Sequence, residues 1–154
     1  MALTLTNVFS HITALIQADP TVTAAGITVL SQLDPAYHKN YEAALRTKGM
    51  IFVLWSAGSD AANGNSLPLL DLQNHLLLSV VENTKNLTPG DKTSLEWVSH
   101  LLRLLHRGAP QGRMPTADIR HPSNGPVYEL GPLGQGIVIY FIHLEVRTTE
   151  ALLT

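Results

Sequence analysis

Seven histidines and a short run of mixed charge are the residues of this chain best suited to chemistry, and their spacing limits what they can do. His11, His38, His75, His100, His106, His121 and His143 nowhere form HExxH or a comparable array, which a zinc site needs to converge its donors on one ion. His100 and His106 lie six residues apart, on different faces of any helix that carries them. Asp118, Arg120 and His121 (DIRH) stand in an irregular stretch, where functional side chains concentrate. General acid–base work there would require a second positioned group and a pocket, and the sequence provides neither. The stretch from Leu130 to Gly136 (LGPLGQG) has the glycines of a phosphate loop. It lacks the Gly-Lys-Ser/Thr ending, however, and precedes a strand-like run instead of a helix, so it reads as a turn. The expectation is a protein without catalytic residues, metal or cofactor.

The run Gly136 to Arg147 (GIVIYFIHLEVR) carries a different kind of information. Val138, Tyr140, Ile142, Leu144 and Val146 keep one face apolar throughout, while Ile137, Ile139 and Phe141 on the other face give way to His143, Glu145 and Arg147. A period of two with two apolar faces and then one describes a strand that begins between two layers and ends facing water or a partner. His143, Glu145 and Arg147 are therefore candidate interface residues, and the polar loops add Asp60, Asn63, Asp118, Arg120 and His121.

The chain's totals agree with an assembling protein. At 154 residues with 45% hydrophobic content it can bury roughly two-thirds of its unfolded surface in one domain. Charged residues make up 14%, against about 25% in ordinary soluble domains, which leaves much of the surface neutral and suited to association. A net charge of -2 gives no general drive toward a phosphate backbone. The absence of cysteine excludes disulfides and thiolate chemistry and suits a reducing cytosol. The first residues lack the basic region of a secretory signal, and no apolar run approaches the ~20 residues of a membrane helix, so a soluble intracellular product without membrane contact is expected.

The elements that must position these residues follow from periodicity. Leu5, Val8, Phe9, Ile12, Leu15 and Ile16 recur at helical spacing, with Thr4 or Thr6 as N-cap and Asp19-Pro20 as a stop. Gly26 to Leu33 reads as a short strand, Tyr37 to Thr47 as a short helix closed by Lys48-Gly49, and Met50 to Ser56 as a central strand. Ser56 to Pro68 concentrates Gly, Ser and Asn and reads as a loop. Leu70 to Val80 alternates, broken by Asn74 on its apolar face, and should pair with the preceding strand as a hairpin. The turn Leu87 to Asp91 leads into a helix. Thr93 and Glu96 stand at capping-box spacing there, with Asp91 as a competing cap. Leu95, Val98, Leu101, Leu102 and Leu105 form its expected buried stripe, and Gly108 with Pro110 its end. Trp55 and Trp97 read as core aromatics, with the border of an interface as the alternative for either. Five prolines and five glycines make Ala109 to Gly136 irregular, with a brief strand possible at Pro126 to Leu130. The fold class is α+β: a mixed, mainly antiparallel sheet on two principal helices, in one domain over 1–154 with irregular loops at 56–68 and 109–136.

In this order of elements the chain resembles the small α+β proteins of tailed-bacteriophage necks, the tail-terminator or head-to-tail joining family. The resemblance is carried by LTNVFSHITALIQ, the paired strands GMIFVLWSAG and LLDLQNHLLLSVVEN, the helix SLEWVSHLLRLLH and the closing GIVIYFIHLEVRTTEAL. It implies a structural virion protein, made in the host cytoplasm, that forms a homo-hexameric ring terminating the tail tube. Its implied partners are the tail tube protein and the head connector or stopper, with genome DNA passing through the ring without sequence-specific contact. The alternative readings are a subunit or binding module of another assembly, and after it a small hydrolase. No individual contact residue is transferred by the resemblance.

Overall fold

The computed structural model describes residues 4–61, 69–105, 122 and 125–151. The chain is an α+β protein. Helices α1 (Leu5–Ala18) and α2 (Pro20–Ala25) are followed by β1 (Thr28–Ser31), α3 (Tyr37–Thr47), the long strands β2 (Met50–Ala61) and β3 (Leu69–Asn83), α4 (Ser94–Leu104), β4 (Tyr128–Leu130) and β5 (Ile137–Ala151). The strands form one sheet in the order β1-β2-β3-β5-β4. β1 runs parallel to β2 across the α3 crossover, and every other pair is antiparallel.

Thr4 is the N-cap of α1, its hydroxyl accepting from the Asn7 amide. Asp19 ends α1 and at once begins α2: its carboxylate accepts from the Val22 amide, and Pro20 occupies the first helical position. The Asp19-Pro20 pair, expected as a stop, is thus also a start. At α4, Thr93 and Glu96 form both halves of the capping box. Asp91 instead closes the preceding turn, accepting from the Thr88 amide at 2.9 Å and hydroxyl at 2.8 Å. Those bonds, the amide's first, hold the Asp91 carboxyl below the usual range. A folded pKa below the unfolded one contributes stability above the ordinary carboxylate range, and that contribution is lost as pH falls through the lowered folded value. Replacing Thr88 with alanine should move the Asp91 titration upward in an NMR pH series; an unmoved titration would show that the hydroxyl contributes nothing.

Two apolar layers flank the sheet. On one face Val8, Phe9, Ile12 and Ile16 of α1 and Trp97, Val98 and Leu101 of α4, with Leu105 just beyond it, pack on Phe52, Leu54, Leu76, Leu78, Ile142 and Leu144. On the other, α3 covers Leu30, Ile51, Val53 and Val81 with Ala44, Tyr41 and Leu45, and Ile137 and Ile139 join this smaller cluster. The last strand accordingly begins between two layers, as its pattern requires. A buried glutamate fixes α4 to the sheet: Glu82 of β3 accepts from the Ser94 amide at the helix start at 2.8 Å, where a carboxylate complements the helix dipole. Among the described residues no helix is long and apolar enough to cross a membrane.

Three expectations need correction. Leu95 is 48% exposed, because α4 turns Ser94, Trp97, Val98 and Leu101 inward and the larger Trp97 fills the place next to Phe52, with Leu102 partly buried at the margin. β1 is shorter than Gly26 to Leu33. The stretch expected to leave the sheet at Ser56 continues as strand to Ala61, since antiparallel pairing with β3 supplies the backbone bonds that its small side chains do not secure by packing. Residues 62–68 of that loop, and the helix-ending Gly108 and Pro110, lie outside the described residues.

Candidate assembly interface

The extension of β2 past Ser56 carries a β-bulge between Ser56 and Gly58, and the bulge decides which way the following side chains face. Before it, Val53 and Trp55 pair with Ser79 and Leu77 on the α3 side of the sheet; after it, Gly58 and Asp60 pair with His75 and Gln73. One extra residue has reversed the alternation. Gly58 has φ 135°, a conformation that suits glycine, and its amide donates to the Ser56 hydroxyl. Without the bulge Asp60 would face the interior side and Ser59 the outer side.

With it, Asp60 joins a polar cluster on the part of the sheet that continues past α3. His75 Nε2 lies 2.7 Å from Asp60 Oδ2, and its Nδ1 lies 3.5 Å from Glu145 Oε1. Gln73 donates to the other Glu145 oxygen at 3.4 Å. The two carboxylates approach opposite edges of one imidazole, so they are not arranged to converge on one ion; among the described residues no cluster suits a metal. Arg147 is exposed and pairs in register with Gln73. His143, one step nearer α3, contacts Glu129 of β4 at 2.9 Å and donates its amide to the Val127 carbonyl. The side chains of this cluster are mostly half-exposed, from 20% for Glu145 to 77% for Asp60, so water screens each pair and the cluster adds little to folding.

The opposite side of the same region is closed by a buried asparagine. Asn74, fully buried, interrupts the apolar face of β3. It accepts from the Ser59 hydroxyl and donates to the Val146 carbonyl at 3.3 Å and the Thr148 hydroxyl at 2.6 Å. It thus ties β2, β3 and β5 together through side-chain hydrogen bonds. Asn74→Ala should destabilise the chain by about 1–3 kcal/mol, since it strands buried polar partners. Chemical denaturation checks this, and a change within ordinary surface variation would mean that the network contributes nothing.

Beyond His143 the sheet ends in β4, a three-residue edge strand. Tyr128, Leu130 and Leu133 in and after it are 42%, 51% and 65% exposed, an apolar margin along an edge that no further strand among the described residues pairs. The following turn holds Gln135 and Gly136 at positive φ and bridges Gly134 to Ile137, so LGPLGQG is the turn its sequence indicated.

Of the residues named from sequence, His143, Glu145, Arg147 and Asp60 share one face of the sheet. Asn63, Asp118, Arg120 and His121 lie outside the described residues. His75, Gln73 and Glu129 complete the cluster, and none of them is among the interface residues the sequence indicates; the alternation of β3 places the first two on a polar face, but their meeting with Asp60 depends on the bulge. His100 serves packing, with Nε2 2.8 Å from Asp19 Oδ2, and so joins α4 to the α1–α2 junction. A 720 Å³ cavity between α2 and the turn before α4 is bordered by Lys48, Lys92 and Asp91, and none of its lining residues among those described is a histidine. No protein-family model matches the chain, and no curated protein matches it.

Proposed function

We propose that the chain is the subunit of a closed ring, acting as a structural virion protein that terminates a bacteriophage tail tube and joins it to the head connector. The observation that carries the ring reading is that one sheet presents two unlike exposed surfaces. Its far end is a polar face of Asp60, His75, Glu145 and Arg147, and its edge is the apolar margin of Tyr128, Leu130 and Leu133. A heterologous, head-to-tail contact requires two different surfaces on every subunit, and such contacts close into rings when the rotation permits. An apolar strand edge left unpaired among the described residues also favours a partner that covers it. The low charge of 14% supports the same reading. The assignment to a tail, and to six subunits, rests on the resemblance in element order.

Electron microscopy of the purified full chain tests this reading. Annular particles with a central channel, which cap tail tubes when mixed with them, are the expected result. Rings that ignore tail tubes would favour a subunit of another assembly, and compact particles without a channel would overturn the ring.

A further inference from the structure

A second cavity, of 240 Å³, opens on the sheet face beside α3, between that helix and the β4–β5 turn. Its walls are the rings of Tyr37, His38, Tyr41, Trp55 and Phe141, and its floor is Val53, Ser79 and Val81. Ser79 is 3% exposed, and neither its hydroxyl nor the buried Trp55 Nε1 has a hydrogen-bond partner among the described residues. Buried polar atoms are normally paired, and an indole N–H can only donate.

We propose that this cleft binds a single aromatic ring carrying a hydrogen-bond acceptor, with a phenol as the simplest member of the class. Size sets the first limit. An apolar cavity of about 150 Å³ holds benzene, so this one takes a ring and a small substituent, whereas drug-sized ligands use roughly 300–1,000 Å³. The walls set the second, because aromatic faces and edges favour another ring at stacking distance. The two unpartnered atoms set the third: a phenolic oxygen can accept from Trp55 Nε1 and donate to Ser79. An ammonium ion could not satisfy the indole donor, and no carboxylate among the described residues lines the cleft. Among the described residues the lining holds His38 but no lysine or arginine, so no fixed positive charge favours an anion there. Burial pushes the Tyr41 phenol up from its ordinary value, so this wall stays neutral at physiological pH. The same chemistry is available from a free phenolic molecule and from a tyrosine side chain of a neighbouring copy of the chain.

The test compares p-cresol with toluene, which has the same ring and methyl group but no acceptor, titrated into the full chain by ¹H–¹⁵N NMR. The Trp55 indole signal should shift with p-cresol while that of Trp97 in the main core stays still. Toluene should bind at least about tenfold more weakly, since it makes neither hydrogen bond. Ser79→Ala and Trp55→Phe should each narrow that preference. No shift at millimolar p-cresol, or equal binding of the two probes by the native chain, would overturn the proposal whether or not the variants fold. Repeating the titration on separated and on assembled chains identifies the source: binding in both states indicates a free molecule, and binding to separated chains alone indicates a neighbour's tyrosine. The readout is ring binding rather than mass, so its failure leaves the ring reading untouched.

Discussion

Leu101→Ala and Leu105→Ala should each lower the free energy of unfolding by about 2–5 kcal/mol, the range for emptying a large side chain's place in a packed core. Both residues are fully buried and belong to the cluster that joins α4 to α1 and the sheet. Leu95, on the same helix and of the same type, is 48% exposed, so Leu95→Ala should change stability by no more than about 0.5 kcal/mol. The contrast isolates burial from helix propensity, because each change introduces the same residue into or next to one helix. Chemical denaturation of the three variants is the measurement. Losses below about 1 kcal/mol for both Leu101 and Leu105 would contradict the placement of α4.

The second large effect concerns assembly and follows from the proposed ring. Reversing the charge of Glu145 or Arg147 places a repelling or unpaired charge in the contact assigned to that face. Within the subunit, Glu145 meets His75 and Gln73 at 3.5 and 3.4 Å in a half-exposed cluster, and such contacts are worth only about 0–1 kcal/mol. Arg147 is exposed. Folding should therefore survive both changes, while like-charge juxtaposition across a contact costs several kcal/mol and should abolish ring formation. Thermal melting and particle mass, read together, separate the two effects. Unchanged rings in both variants would remove this face from the interface, and loss of folding would show that the cluster is structural.

Much of this arrangement was legible in the residues because local rules and tertiary packing agreed. The capping box at Thr93 and Glu96, the span of α3 and the two-faced character of β5 appear in the structure as their patterns indicate. What escaped was set by long-range register. Asp60 lies in a Gly- and Ser-rich stretch that propensity assigns to a loop. It reaches His75 because eleven residues of β3, Leu72 to Glu82, hold β2 in place and the bulge at Gly58 reverses its faces. Asn74 looked like a flaw in an apolar face, yet its partners Ser59 and Thr148 are remote in sequence and meet it through two strand pairings. Leu95 shows the same limit on a helix: spacing fits it to the stripe as well as Trp97, and the volume available against Phe52 decides between them.

Native mass spectrometry of the full chain at micromolar concentration tests the ring most directly. A dominant species of about 100 kDa, six times the 16.7 kDa subunit, is expected for a closed cyclic hexamer. A chain that remains at 16.7 kDa under the same conditions would contradict it.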